Sequence, residues 1–495
     1  MTKNLSIRPE DGYAVYLPAI SSSYCHWASQ WDQKINQSDK DGVQKFKYRQ
    51  PKNISPDAKE LFFLDENNGC FHYNAALYSA GHAEITDLVE SQRIENLVHS
   101  RDKAKTVIVA DSGGYQIASS ASGSSVSKFD WANPTSASND EIRLNVLRWM
   151  ESVADYSMML DVPTAAIGNP KAKSINTFAD CIEMTRYNAD FFVKNRIPGK
   201  TKILNVLQGR TLEEADTWWD IFKDYPFEGW ALGGANARNA ELMLSRIIRM
   251  RDNNYIGGDK HWMHVLGSSR LTTSCILTEI QRNIRKTIDE QFTISYDSAT
   301  PFVVASKGYV LTQNIFDASK KNPRFSYLTH RMVETAEAMG SDKMFPFTSE
   351  PGRFMSIGDI CVRDPKVSGT KTSWDSFSYV LLMWHNLYRQ IDAIQEALRI
   401  YDMPKSQVGQ FIPKDILAFK DFCKEIFITE KPFELIKKEK KFLNSLTGIT
   451  TSSGNTLLNT EGQSLFDWDD GILGEDDLLF DPSEGRETDL LDIGE

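Results

Sequence analysis

Six apolar runs in this chain share one pattern, because each is followed directly by a carboxylate, an amide or glycines. The first run begins at Val107 and reads Val-Ile-Val-Ala-Asp-Ser-Gly-Gly-Tyr-Gln, so it stops at Asp111. A β-branched run of this length predicts a buried strand, and the glycines after it permit a sharp turn and a close approach to a ligand. The other five runs occupy residues 156–161, 203–209, 230–234, 264–268 and 292–297.

Helical patterns separate these strands, for example over residues 240–250. Strands that alternate with helices and carry polar residues or glycines at their carboxyl ends are typical of a (β/α)8 barrel, in which those ends converge on one site. A doubly wound sheet is the alternative, but no Gly-x-Gly-x-x-Gly follows the first strand and no phosphate-loop motif occurs. The sequence therefore predicts an α/β protein built on a TIM barrel.

Composition sets limits on the class of protein. The 495 residues are 41% hydrophobic and 25% charged, and no apolar run approaches the roughly 20 residues that span a bilayer. The start lacks the apolar core of a signal peptide, and six scattered cysteines suit a reducing compartment, so we expect a cytoplasmic protein without a membrane partner. The net charge of −11 is concentrated in residues 451–495, which carry −12 and leave the rest nearly neutral.

The chain divides into five predicted parts. Residues 1–60 form an N-terminal extension, 61–340 the barrel, 341–402 a smaller subdomain with a long helix from about 373 to 401, and 403–446 further helices. Residues 447–495 are acidic and poor in core-forming residues, which predicts a disordered tail. The tail could dock a basic protein partner or screen the nucleic-acid groove, and a purely solubilising role is an equal alternative. The basic, aromatic residues 45–52 could contact nucleic acid, but a solvated segment whose rings pack on the barrel is the favoured interpretation. Residues 118–127 predict a flexible lid over the site.

Six motifs occur in order between residues 111 and 299: Asp-Ser-Gly-Gly-Tyr-Gln, Leu-Asp-x-Pro-Thr, Leu-Gln-Gly, Leu-Gly-Gly, Leu-Gly and Tyr-Asp-Ser-Ala. Together they resemble the tRNA-guanine transglycosylases and their DNA-acting relatives, over residues 60–400. Those enzymes are pentosyltransferases that exchange a guanine in nucleic acid for a 7-deazaguanine. The resemblance implies the same barrel and the same base-exchange chemistry.

Base exchange breaks an N-glycosidic bond, so one carboxylate traps the sugar covalently while a second group moves the proton of the purine. By the family pattern, Asp297 matches the nucleophile and Asp111 the general acid/base. Asp161 matches the carboxylate that accepts hydrogen bonds from the amidine edge of guanine. The other implied base contacts are Gln208 and the Gly233 amide at the base carbonyl, Ser112 at the base edge, and Tyr115 and Leu266 on the ring faces. The ordinary alternative for each aspartate is a strand-end cap.

The tRNA enzymes also hold a structural zinc with Cys-x-Cys-x-x-Cys and a downstream histidine, which His385 matches. The corresponding upstream segment is Ser-Ile-Gly-Asp-Ile-Cys, in which only Cys361 is present. Structural zinc normally takes four ligands. We therefore expect neither zinc nor another cofactor, unless Asp359 or Asp364 substitutes as a ligand, and we expect His385 to be a packed core residue.

Two further departures concern the nucleic acid. Residues 300–304 read Thr-Pro-Phe-Val-Val, where the tRNA enzymes carry a Pro-Thr-Arg run that reads the anticodon loop. Near residues 232–236 there is no glutamate of the kind that recognises an aminomethyl group, which favours an uncharged 7-cyano-7-deazaguanine. The pattern resembles the DNA-guanine transglycosylases, including phage-borne forms that act in the host cytoplasm, which protect DNA from restriction nucleases by installing 7-deazaguanines.

Three other functions stay open at this point. A tRNA-guanine transglycosylase with a degraded zinc site would use the same chemistry on tRNA. A non-catalytic subunit would use the same barrel to bind nucleic acid. A sugar-processing barrel would explain paired carboxylates, but it leaves Gln208 and the glycine pair at residues 233–234 without a role.

Overall fold

The computed structural model describes residues 2–36, 51–119, 126, 128–170, 172–268, 270–319, 324–332, 338, 340–360 and 376–446. Four sequence predictions concern residues outside these ranges. They are most of the basic stretch at 45–52, most of the loop at 118–127, Cys361 as a residual zinc ligand, and the acidic tail at 447–495.

Eight parallel strands form one nearly closed barrel, which confirms the predicted α/β barrel fold. In chain order they are β2 (Val15–Pro18), β4 (Ala75–Ser79), β5 (Val107–Asp111), β6 (Tyr156–Met158), β7 (Lys202–Leu207), β8 (Gly229–Leu232), β9 (Trp262–Val265) and β10 (Thr293–Ser298). Short strands β1 (Lys3–Asn4) and β3 (Phe71–His72) pair beside the barrel, and β11 (Tyr309–Asp317) pairs with β12 (Arg324–Arg331) in an antiparallel ribbon.

The barrel closes between its earliest strands. The strand β10 pairs with β2 in parallel, and β2 meets β4 through a single parallel bridge between Ala19 and Leu77. The Ile20 N–H donates to the Leu77 carbonyl at 2.9 Å across this seam. The sequence placed residues 1–60 outside the barrel, whereas β2 is one of its eight strands, because Val15–Pro18 covers the edge that β10 would otherwise leave unpaired.

Helices follow the strands and cover the outside of the barrel. They are α1 (Ser22–Ile35), α2 (Leu88–Ile94), α3 (Asn96–His99), α4 (Gly114–Ser119), α5 (Ala137–Val153), α6 (Phe178–Asn195), α7 (Leu212–Phe222), α8 (Gly234–Arg238), α9 (Ala240–Asp252), α10 (Leu271–Thr287), α11 (Thr300–Ser306), α12 (Ile357–Ile360), α13 (Ser376–Tyr401), α14 (Lys405–Val408), α15 (Lys414–Ile428), α16 (Pro432–Lys438) and α17 (Lys440–Leu446). Side-chain caps start the main ones, since Ser136, Thr177, Thr211 and Asn239 each accept a backbone N–H in the first turn of their helix. Loops that end in such caps fix where each helix leaves the rim of the barrel.

The long helix α13 agrees with the helix expected near residues 373–401. Its Leu382, Leu387 and Ile391 are buried, and the helix packs against α1, α10 and α11. It therefore ties the N-terminal segment to the end of the barrel. None of the described helices has the length and apolar character required to cross a membrane.

Candidate active site

The predicted site residues lie at the carboxyl ends of consecutive barrel strands. Asp111 ends β5, Asp161 follows β6, Gln208 follows β7, Gly233 follows β8 and Leu266 follows β9. Asp297 is the penultimate residue of β10. Because parallel strands present their carboxyl ends on one rim, the fold brings six of the predicted residues to the same end of the barrel.

Asp111 is held by the neighbouring strand. The Ser79 hydroxyl donates to Asp111 Oδ2 at 2.6 Å, and the Gly113 N–H donates to the same oxygen at 3.3 Å. Burial raises the pKa of Asp111 above its ordinary value, the two hydrogen bonds oppose that increase, and the charge of Asp297 adds to it. A raised pKa lets this carboxyl carry a proton closer to neutral pH, as a general acid must.

Asp161 and Gln208 form a hydrogen-bonded pair. Gln208 Nε2 donates to Asp161 Oδ2 at 2.8 Å, which fixes the amide orientation because a carboxylate only accepts. Burial raises the pKa of Asp161 to about 7, with a further increase from Asp111 and an opposing effect from Gln208. One amide hydrogen of Gln208 is used in this pair, and the second is left for another acceptor.

Two glycines bring the backbone close to Gln208. A Cβ on Gly233 would lie 2.6 Å from Gln208 Nε2 and 3.2 Å from Leu266 Cδ1, so no side chain fits there without displacing them. Gly234 has a φ of +54°, and a Cβ on it would lie 2.8 Å from Gln208 Oε1. Gly233 therefore packs against both Gln208 and Leu266, and Gly234 packs against Gln208.

The Gly233 amide is not free for the role that the sequence predicted. Its N–H donates to the Leu207 carbonyl at 2.8 Å, as an extension of the sheet. Gly234 is the first residue of α8, and its N–H donates to none of the described residues. The amide available beside Gln208 is therefore that of Gly234, a residue that the sequence analysis did not assign.

Asp297 is oriented through only one of its oxygens. Oδ1 accepts the Gly267 N–H at 2.8 Å and lies 3.1 Å from His264 Nε2. No described residue donates to Oδ2, and the side chain is 14% exposed. The arrangement leaves Oδ2 as the oxygen available to a ligand.

His264 is a site residue that the sequence analysis missed. It is fully buried on β9, beside Asp297 on one ring nitrogen and beside Ser295 on the other, where Nδ1 lies 2.9 Å from Ser295 Oγ. Trp262 Nε1 donates to the same hydroxyl at 2.9 Å. The available signal was a polar residue inside the apolar strand Trp-Met-His-Val, and Ser79 was missed because β4 was not recognised.

The structure says less about the roles predicted for Ser112 and Tyr115. Ser112 is buried, and its hydroxyl lies 3.5 Å from the Met159 carbonyl, at the outer limit for a hydrogen bond. Tyr115 belongs to α4, but its side chain lies outside what the structure describes. The ring-stacking role predicted for Tyr115 stays a prediction.

His385 has protein partners on both ring nitrogens. Ser349 Oγ lies 2.7 Å from Nδ1, and Nε2 donates to the Leu311 carbonyl at 2.8 Å. Burial lowers the pKa of His385 to about 3, so the ring is neutral, as expected of a packed core histidine. Within the described ranges, no three His, Cys, Asp or Glu side chains form a group that could hold a metal. The described residues around His385 therefore do not fit a four-ligand zinc site.

No protein-family model matches this chain, and no curated protein matches it. The fold and the rim nevertheless define a class of site. It consists of three carboxylates at the carboxyl ends of a parallel barrel, an amide paired with one of them, and a glycine pair against that amide.

Proposed function

We propose that this protein is a base-exchange transglycosylase that replaces guanine in DNA with a 7-deazaguanine such as 7-cyano-7-deazaguanine. The observation that supports it most is the pairing of Asp161 with Gln208 on the same rim as Asp111 and Asp297. A carboxylate beside an amide matches the hydrogen-bonding edge of guanine, since Asp161 accepts from N1–H and the 2-amino group while Gln208 donates to O6. The Gly234 N–H is a second donor for O6.

The chemistry then needs two carboxyl groups with different roles. Asp297 Oδ2 bonds to the anomeric carbon as the bond to the base nitrogen breaks, and the electron pair leaves with the guanine. Asp111 in its acid form supplies the proton that neutralises the departing base. In the second half, the incoming base gives its N9 proton to the Asp111 carboxylate and its nitrogen bonds to the anomeric carbon, which releases Asp297. Protons and electrons balance over the cycle without a redox cofactor.

Two sequence departures favour DNA over tRNA. The helix α11 directly after the nucleophile strand has buried Phe302 and Val304 and no arginine to read an anticodon loop. In residues 341–402, which by resemblance correspond to the zinc subdomain of the tRNA enzymes, His385 is hydrogen-bonded to Ser349 and to the Leu311 carbonyl of β11 in place of a metal. A guanine in duplex DNA must rotate out of the stack before its anomeric carbon can reach Asp297.

The experiment is an exchange assay with the purified protein and isotopically labelled guanine or 7-cyano-7-deazaguanine. Duplex DNA, single-stranded DNA and unmodified tRNA are offered in parallel. We expect label in DNA. Label in tRNA would replace the proposal with a tRNA-guanine transglycosylase, and label in none of the three would favour a non-catalytic nucleic-acid-binding subunit.

We also expect the affinity for the free base to increase between pH 6 and pH 8. The base needs the Asp161 carboxylate, and with a pKa of about 7 its ionised fraction rises from about one eleventh to about ten elevenths, so Kd should fall by about tenfold. Calorimetric titration at several pH values measures this. A Kd that stays constant or increases with pH would contradict the role of Asp161.

The stability of the base-free protein should change in the opposite direction. A carboxyl with a raised pKa contributes stability that is fully present below its unfolded pKa of about 4 and is lost as pH rises through the folded value. For Asp161 that loss extends through about pH 7. Between pH 5 and pH 8 we expect Tm to decrease less in the Asp161→Asn variant than in the unsubstituted protein. The same variant is the control for the binding titration, where it should bind the base weakly and show no change of affinity with pH.

A further inference from the structure

The chain of hydrogen bonds beneath Asp297 begins inside the barrel. Trp262 and His264 lie on one face of β9, and Ser295 and Asp297 lie on the same face of β10, with His264 and Ser295 in register. The Trp262 ring stacks on the Tyr156 ring of β6 with centroids 4.2 Å apart, although β6 and β9 are not neighbours in the sheet. The four side chains therefore project into the interior of the barrel and lead from it to the rim.

The positions of the hydrogens in this series of hydrogen bonds can be assigned by counting donors and acceptors. Trp262 Nε1 can only donate, so Ser295 Oγ accepts from it. If Ser295 then donates to His264 Nδ1, the ring carries its proton on Nε2 and donates to Asp297 Oδ1. In this arrangement every hydrogen has an acceptor.

The other protonation states fit less well. A ring with its proton on Nδ1 would point the Nε2 lone pair at the carboxylate. A doubly protonated ring would donate to Ser295, whose own hydrogen would then have no acceptor among the described residues. A buried donor without an acceptor destabilises the folded protein, so the neutral Nε2–H form is favoured.

We propose that His264 is a positioning residue for the nucleophile, a role that rests on the proposed base exchange. Its Nε2–H and the Gly267 N–H both bind Asp297 Oδ1 and so fix the carboxylate with Oδ2 directed to the sugar. When the bond between Oδ2 and the anomeric carbon breaks, the same two donors stabilise the charge that returns to the carboxylate.

Two substitutions at His264 distinguish the loss of the hydrogen-bond donor to Asp297 from the loss of the imidazole ring itself. His264→Gln places an amide nitrogen as far along the side chain as Nε2, so it retains a donor to Asp297. His264→Asn reaches only as far as Nδ1, so it retains the partner of Ser295 and loses the donor to Asp297. We expect single-turnover base release to be at least tenfold slower in His264→Asn than in His264→Gln, with equal DNA affinity and with Tm confirming that both are folded. Equal rates in the two folded variants would overturn the proposal.

A measurement that does not depend on activity separates this inference from the proposed function. Nitrogen NMR of the full chain with ring-labelled histidine reports the tautomer of His264, which the spectrum of His264→Gln assigns by its missing signals. We expect a neutral ring with hydrogen on Nε2. If the unsubstituted protein exchanges no base, the proposed function fails, and an Nε2–H signal would still support the positioning bond to Asp297. A signal for hydrogen on Nδ1 alone would overturn it in either case.

Discussion

An Asp297→Asn variant is expected to lose base exchange by at least about 10⁴-fold, the usual effect of removing a nucleophile, while it retains DNA binding. The two donors at Oδ1 explain why this substitution is informative. The Gly267 N–H and the His264 Nε2–H both require an acceptor, so they should hold the amide oxygen and turn the amide nitrogen to the position of Oδ2. The shape of the site is then preserved, but the atom that faces the sugar is an amide nitrogen, whose lone pair is delocalised into the carbonyl and does not form the bond.

The measurement is twofold. Incorporation of labelled base reports exchange, and a protein–DNA adduct that survives denaturation reports the covalent intermediate. Asp220→Asn is a matched control, because Asp220 is 64% exposed on α7 and pairs with Lys223 at the surface. Exchange or adduct that persists in Asp297→Asn would mean that another group attacks the sugar.

An Asp111→Asn variant should slow release of guanine by about 10²–10⁴-fold, the range typical for loss of a general acid. The amide accepts the Ser79 hydrogen bond as the carboxyl does, so the local structure should be retained. It has no acidic proton to give to the departing purine. Single-turnover release of guanine from labelled DNA measures the effect.

A different leaving group tests the proton directly. A 7-methylguanine in DNA carries a positive charge and leaves as a neutral base without being protonated. We expect the defect of Asp111→Asn to shrink by at least tenfold on DNA that contains 7-methylguanine, whereas the defect of Asp297→Asn should persist on it. An equal defect of Asp111→Asn on both DNAs would show that Asp111 acts by some means other than donating a proton.

Much of the barrel could be predicted because its signal is local. Six of the eight strands overlap the apolar runs that stop at a carboxylate, an amide or glycines, although β9 begins two residues before its predicted run and β6 ends at Met158. The other two lack that signal. β2 ends in a proline, and β4 is Ala-Ala-Leu-Tyr-Ser with few β-branched residues, so both depend on tertiary pairing for their strand structure.

The hydrogen bonds within the site depend on how neighbouring strands pair, which the local sequence of each strand does not reveal. The glycine N–H that can bind a ligand is set by where the hydrogen bonds between β7 and β8 end. Gly233 still donates to the Leu207 carbonyl, whereas Gly234 begins a helix. The role of His264 depends on the register that sets it beside Ser295 on the next strand. A motif can therefore single out Asp297 as the candidate nucleophile without revealing which neighbours orient it.

The pairing of β2 with β10 has a consequence for folding during synthesis on the ribosome. Val15–Pro18 is translated before the other seven barrel strands, but its partner ends at Ser298, so this strand stays without that neighbour until the rest of the barrel has been translated. At about 5–20 residues per second, that interval lasts roughly 15–60 s. Since Asp297 lies on the strand that completes the sheet, the proposed nucleophile joins the other site residues only when this final strand pairs.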